Sequence, residues 1–145
     1  MGDRGDTGDT IRKVDYFSIL VPDRPGQTFR VLQTLVSAGI NLLACNGFPR
    51  GRQAQIDVVP DDSRKFNRAV RKAGLAFEPK KSGFLMQGDD RPGALAEHLN
   101  KLALARINVT AVEALSPGGG RWAAILWVKS ADVPRAGRVL RARTK

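Results

Sequence analysis

Apolar positions alternate between strand and helix spacing along the chain. Tyr16-Phe17-Ser18-Ile19-Leu20-Val21 is a short β-rich run closed by Pro22, the mark of a strand. Asp23-Arg24-Pro25-Gly26 then stops it and opens a helix. Thr28, Val31, Leu32, Leu35 and Val36 follow at spacings of three and four, which lays one apolar stripe along a helix. Pro25 suits the first helical turn, where its missing N–H would have no partner, and Asp23 is placed to accept from the free amides there. Gly39 is a natural C-terminal cap. Strands are predicted at Leu42–Phe48 and Gln53–Val59, joined as a hairpin by Pro49-Arg50-Gly51-Arg52. A second helix over Ser63–Ala73 and a fourth strand, Leu75-Ala76-Phe77-Glu78, complete the pattern.

The pattern then repeats. At an offset of 67, Phe17 meets Phe84, Asp23-Arg24-Pro25-Gly26 meets Asp90-Arg91-Pro92-Gly93, and Leu32, Leu35, Ala38, Ile40, Asn41 and Ala44 meet identical residues, 11 identities in 28 positions. Such self-similarity marks a duplicated structural unit. The second helix stripe is Leu95, Leu99, Leu102 and Ala103; Arg106 stands where Gly39 stood and predicts a different ending. Strands over Val109–Leu115 and Arg121–Val128 flank Ser116-Pro117-Gly118-Gly119-Gly120. This turn is longer, and the offset grows to 69, aligning Ile56 with Ile125 and Val59 with Val128. A helix over Val133–Arg143 leaves no room for a fourth strand before Lys145.

The order strand, helix, strand, strand, helix, strand is the split βαβ pattern. The expected class is α+β: two tandem ferredoxin-like βαββαβ units, the second lacking its last strand. The domains are a disordered tail over 1–13, rich in Gly, Asp and Thr with little to bury, a first repeat over 14–81 and a second over 82–145. The edge left by the missing strand would fall to the N-terminal segment or to another chain.

Composition narrows the function. Of 145 residues, 42% are apolar and 26% charged, ordinary for a globular protein. No apolar run approaches bilayer length, and the N-terminus has no apolar core for a signal peptide. With a lone cysteine, Cys45, read as a small residue of the core, the expected compartment is the cytoplasm. His98 and Cys45 are the single residues of their kinds, and nothing in the sequence brings them together. Neither a metal-ligand cluster nor a phosphate-cradling loop is present. The expectation is no catalysis, no metal and no cofactor.

The strand, Asp-Arg-Pro-Gly turn, amphipathic helix and Gly-Ile-Asn-Leu lead-in closely resemble the ACT domain, a family of small ligand-sensing modules of amino-acid metabolism. The likeness covers about residues 16–143 as two units in tandem. It implies side-by-side pairing of units, often with an amino acid at the seam and the loop after the first strand as one wall. The ligand-contact candidates so implied are Asp23, Arg24, Gly26, Gln27, Thr28, Asn41 and Leu42 in the first copy. In the second they are Asp90, Arg91, Gly93, Ala94, Leu95, Asn108 and Val109. Independently of the family, backbone amides at a helix N-terminus hold a carboxylate, Gly after Pro lets a ligand approach, and Asn can both donate and accept. The first loop, with Gln27 and Thr28, has more polar groups than the second and is favoured should a single site be filled. The implied partners are an amino acid, a second copy of the chain and a regulated enzyme or regulator.

Two other readings compete. A net charge of +10 raises nucleic-acid binding: Arg64, Lys65, Arg68, Arg71 and Lys72, then Arg135, Arg138, Arg141, Arg143 and Lys145, crowd the second helices. Phe17, Phe84, Trp122 and Trp127 could stack bases on a sheet of this kind, but Gln53–Val59 lacks the aromatic consensus that reading needs. The other alternative is a dimerisation module without ligand, which the sequence does not separate from a sensor.

Overall fold

The computed structural model describes residues 7–144. Two compact units divide the chain: residues 15–81, and residues 82 onward joined by those up to Val14. The first copy begins with β1 (Thr10–Pro22), whose residues from Asp15 belong to this unit. Then come α1 (Gln27–Ser37), β2 (Leu42–Arg50), β3 (Gln53–Pro60) and α2 (Ser63–Ala73). The second comprises β4 (Lys81–Asp89), α3 (Ala94–Leu104), β5 (Val109–Gly118), β6 (Arg121–Val128), a 3-10 turn at Ser130–Asp132 and α4 (Val133–Leu140). The α+β class and the ferredoxin-like order are as the periodicities predict.

Each unit has its own core. In the first, β3 pairs antiparallel with both β1 and β2, and Phe17, Ile19, Val21, Ile56 and Val58 pack under Val31 and Leu35 of α1 and Phe66 and Val70 of α2. Phe66 is fully buried, 4.4 Å from Phe17 and 5.0 Å from Phe77 between ring centroids. In the second, β6 pairs with β4 and β5; Phe84, Met86, Ala124 and Leu126 pack under Leu102, Ala136 and Leu140.

The register corrects one alignment of the repeats. Phe17 pairs with Val58 and Phe84 with Leu126, so the third strands match at an offset of 68, not 69. Ile56 corresponds to Ala124, and Ile125 lies outside the core that Ala124 and Leu126 enter. Because side chains alternate across a strand, a one-residue slip exchanges the faces. The extra residue sits in an irregularity of β5 between Leu115 and Gly118.

Three further expectations change. Residues 1–6 of the expected tail lie outside the described residues. Residues 10–13 are strand, and Ile11 is buried in the second unit's core. An average over thirteen mostly polar residues conceals one apolar anchor. Leu75–Glu78 is not a strand. Leu75 N–H instead closes the end of α2 on Val70 O, Glu78 N–H reaches Ser18 O at 2.8 Å, and Pro79, without an N–H, follows. Cys45 is exposed on β2 rather than buried. After α4, Arg143 forms an isolated parallel bridge to Arg12, with Arg143 N–H on Ile11 O at 2.9 Å and Lys13 N–H on Arg143 O at 2.8 Å. The N-terminal segment therefore lies beside the position of the absent last strand.

All four helices end alike. Gly39 and Gly74 take the left-handed conformation, and so do Arg106 (φ 59°) and Arg141 (φ 54°) in the second copy. Ile40 N–H returns to Leu35 O and Ile107 N–H to Leu102 O, the Schellman closure. The different ending expected at Arg106 does not occur; the hydrogen bonds impose the geometry on a residue with a Cβ. Relief of that strain outweighs the added freedom of the unfolded glycine. Arg106→Gly is therefore expected to raise stability by about 0.5–1 kcal/mol, read as a higher urea midpoint at unchanged slope.

Candidate functional site: a buried carboxylate beside an open helix N-terminus

The repeated Asp-Arg-Pro-Gly is a tight turn before it is anything else. Gly26 (φ 87°, ψ −10°) and Gly93 (φ 81°, ψ 5°) are left-handed, and Gln27 N–H and Ala94 N–H bond Arg24 O and Arg91 O at 3.3 Å. Pro at the second position and positive-φ Gly at the third make a type II turn. Pro therefore stands before the helix rather than in its first turn, and glycine is the N-cap. Neither Asp23 nor Asp90 is the N-cap: Gly26 and Gly93 hold that position, and the caps of α1 and α3 make no side-chain hydrogen bond. The first intrahelical bond of α3 runs from Glu97 N–H to Gly93 O. The N–H groups of Leu95 and Ala96 thus precede any intrahelical partner, as helix geometry requires.

In the second unit this N-terminus borders a groove of about 630 Å³ lined by Asp90, Arg91, Gly93, Ala94, Leu95 and Ala96, with Leu99, residues 114–116 of β5 and Trp122. Five of the seven second-copy candidates meet there. Asn108 is exposed and Val109 packs on the core; neither lines the groove. In the first copy Asp23, Arg24, Gly26 and Asn41 are exposed, Gln27 and Thr28 are half-buried, and Leu42 packs on its own core. The polar first loop favoured by sequence is thus a turn at the surface.

Arg91 does not reach freely into the groove. Its guanidinium grips Asp9 in a fork, Nη2 to Oδ2 at 2.9 Å and Nη1 to Oδ1 at 3.1 Å, and also donates to Asp89 O at 3.0 Å and Glu97 Oε2 at 3.1 Å. The Asp9 side chain has no exposed surface. Trp122 Nε1 donates to its Oδ1 at 3.2 Å, and His98 Nε2 lies 2.7 Å from Oδ2. The His98 ring stacks on Trp122 with centroids 5.9 Å apart. Gly88 leaves the necessary space: a Cβ there would collide with the Asp9 carboxylate. Burial pushes the Asp9 carboxyl up, but hydrogen bonds from Arg91, His98, Trp122 and Thr7 outweigh it and hold it well below the usual carboxylate range. The same carboxylate raises the Arg91 guanidinium.

Sequence reasoning missed Asp9 and Gly88, took His98 as a lone residue and read Trp122 as a base-stacking candidate. A signal existed between the copies. Val21, Val31 and Ala54 of the first unit correspond to Gly88, His98 and Trp122 of the second, and all three replacements touch or make room for Asp9. The aromatics proposed for base stacking, Phe17, Phe84, Trp122 and Trp127, are all buried, so the nucleic-acid reading loses its platform. Among the described residues no group of three His, Cys, Asp or Glu is placed to hold a metal ion, and no helix is long and apolar enough to cross a membrane.

No family model and no curated protein matches the chain. Solved structures do. A protein from Bacteroides thetaiotaomicron superposes with a TM-score of 0.75 at 18% identity, over 93% of this chain and 90% of that one. The ligand-free regulatory subunit of aspartate kinase from Thermus thermophilus superposes at 0.62 and 17%, over 92% and 94%. The corresponding subunit from Thermus flavus gives 0.60 and 17%, over 93% and 95%. The likeness to ACT domains holds at the level of the fold, across nearly the whole length of each.

The buried pair sets an acid limit on stability. Because the folded-state value of Asp9 lies below that of a free aspartate, about 3.9, the ionised carboxylate stabilises the protein at neutral pH. That contribution drains away as pH falls below about 4. Asp9→Asn should cost about 3 kcal/mol at pH 7 by leaving Arg91 without its buried partner. It should also flatten the acid side of the stability curve, measured by urea unfolding from neutral pH downward.

Proposed function

We propose that the second-unit groove binds a free α-amino acid, and that the chain is a non-catalytic regulatory protein of the cytoplasm acting on a partner enzyme or regulator. The observation that carries this reading is the uncapped N-terminus of α3 opening on the groove. Leu95 and Ala96 N–H would take the α-carboxylate, helped by the helix dipole. The Asp90 carboxylate on the same groove suits the α-ammonium, and Leu99, Leu115 and Trp122 present apolar surface to a side chain. The volume fits a small metabolite. The shared fold with regulatory subunits of aspartate kinase supports a regulatory role.

The groove is open along β5, an edge strand of its unit's sheet with Val112 and Leu115 exposed at 38% and 61%. A second copy of the chain laid along that edge would cover the ligand and satisfy the unpaired strand. A dimerisation module without ligand makes the same use of the edge, so the two are told apart by ligand.

A thermal-shift screen of the twenty amino acids is expected to single out one or a few. At a hundredfold excess over Kd the gain is about 2.7 kcal/mol, with Asp90→Asn weakening affinity at least fivefold, on the order of one charge-assisted bond. A flat screen on folded protein would sink the reading. Light scattering should give twice the chain mass, falling to the monomer with Leu115→Lys.

A further inference from the structure

The groove beside α3 is lined by two charged side chains, Asp90 and Arg91, and by two others with a polar atom, Ser116 and Trp122; the rest are Gly, Ala and Leu. Two of these four have their polar atoms engaged elsewhere, and both by Asp9. Arg91 Nη1 donates to Asp9 Oδ1 and to Asp89 O, while Nη2 donates to Asp9 Oδ2 and to Glu97 Oε2. A guanidinium has five N–H donors, so the four on the Nη atoms are all in use and only Nε–H is left. Trp122 can donate from Nε1 alone, and that proton goes to Asp9 Oδ1. What the indole presents to the groove is ring surface.

The charge balance of the groove follows from this. Its one cation is matched twice, by buried Asp9 and by Glu97, and nearby Arg121 pairs with Asp89 rather than Asp90. An acidic side chain brought in here would meet the Asp90 carboxylate, no free cation and apolar walls, and a charge held away from water without a partner is strongly disfavoured. With Asp90 taken by the α-ammonium, a basic side chain finds no partner either. An aliphatic side chain needs none, and gains by covering Leu99, Leu115 and the Trp122 ring. We propose that Asp9 is a specificity-determining residue of the groove: acting through Arg91 and Trp122, it withdraws the donors of that wall and restricts the ligand to amino acids with uncharged aliphatic side chains. The inference rests on the reading of the groove as an amino-acid site, and adds the class of side chain and the residue that sets it. Asp9 itself touches no ligand, since its side chain has no exposed surface.

Calorimetric titration of the full chain with leucine, valine, glutamate and lysine tests the assignment. Leucine or valine is expected to bind about tenfold more tightly than glutamate or lysine, or better, as an unpaired charge dictates. In Asp9→Ala the donors of Arg91 and Trp122 return to the groove, and the ratio of leucine to glutamate affinity should fall about fivefold or more. Loosening of the fold alone would weaken both ligands together and leave that ratio where it was. Should Asp9→Ala fail to fold, Glu97→Ala, at an exposed side chain, frees one Nη2 proton of Arg91 and should lower the same ratio about twofold. A flat response to all twenty amino acids removes the site itself. With an amino acid bound, the proposal is overturned if glutamate, lysine or another polar ligand binds as tightly as leucine and valine, or if the ratio is unmoved in the variant that folds.

Discussion

One buried carboxylate organises the second unit. Asp9 enters from the N-terminal segment and collects donors from three places: the turn before α3 (Arg91), the buried face of α3 (His98) and the start of β6 (Trp122). Moving a carboxylate out of water is unfavourable by several kcal/mol unless its lone pairs are satisfied. Here the fork of Arg91 meets it on both oxygens, with two ring nitrogens beside them. The segment is thereby tied to the unit by polar bonds on one side and by Ile11 in the core on the other.

The first unit solves the same backbone problem without that interaction. Where the second has Gly88, His98 and Trp122, the first has Val21, Val31 and Ala54, and its core is aliphatic there with the aromatic cluster of Phe17, Phe66 and Phe77 nearby. Duplication supplied two copies of one strand–turn–helix unit. At three positions the copies differ, so that one has an oily interior where the other has a polar anchor. The Asp-Arg-Pro-Gly turn survives in both because its backbone role, a type II turn closing on a left-handed glycine, is independent of what the Asp and Arg side chains do. In one copy that Arg is an exposed surface residue, and in the other it is half of an ion pair.

This division explains what the sequence could disclose. Elements were legible because apolar spacing reports burial directly: the stripes of Val31–Leu35 and Leu99–Leu102 and the run ending at Val21 read without ambiguity. The third-strand alignment was misjudged because matching Ile56 to Ile125 counts identities, while pleating counts faces. The helix ends at Arg106 and Arg141 were hidden because a Schellman closure is enforced by hydrogen bonds that carry no residue signature when glycine is absent. Five of the site candidates gather at one groove because the turn that carries them is local in sequence. Asp9 was invisible for the opposite reason. Arg91, His98 and Trp122 lie at separations of 82 to 113 residues from it, and its neighbours in sequence are Gly, Thr and Asp.

The order in which the chain is synthesised meets this arrangement awkwardly. Residues 15–81 are contiguous and can collapse as soon as they emerge from the ribosome. The other unit is split, its opening segment made first and the remainder last. Asp9 and Ile11 must therefore wait, solvated, through the synthesis of a whole intervening domain before Arg91, His98 and Trp122 exist to receive them. Long-range closure of this kind is slow relative to local folding. Cutting the gene at the boundary between the repeats would not yield two independent proteins. It would leave residues 82 onward without the segment that carries Asp9 and Ile11.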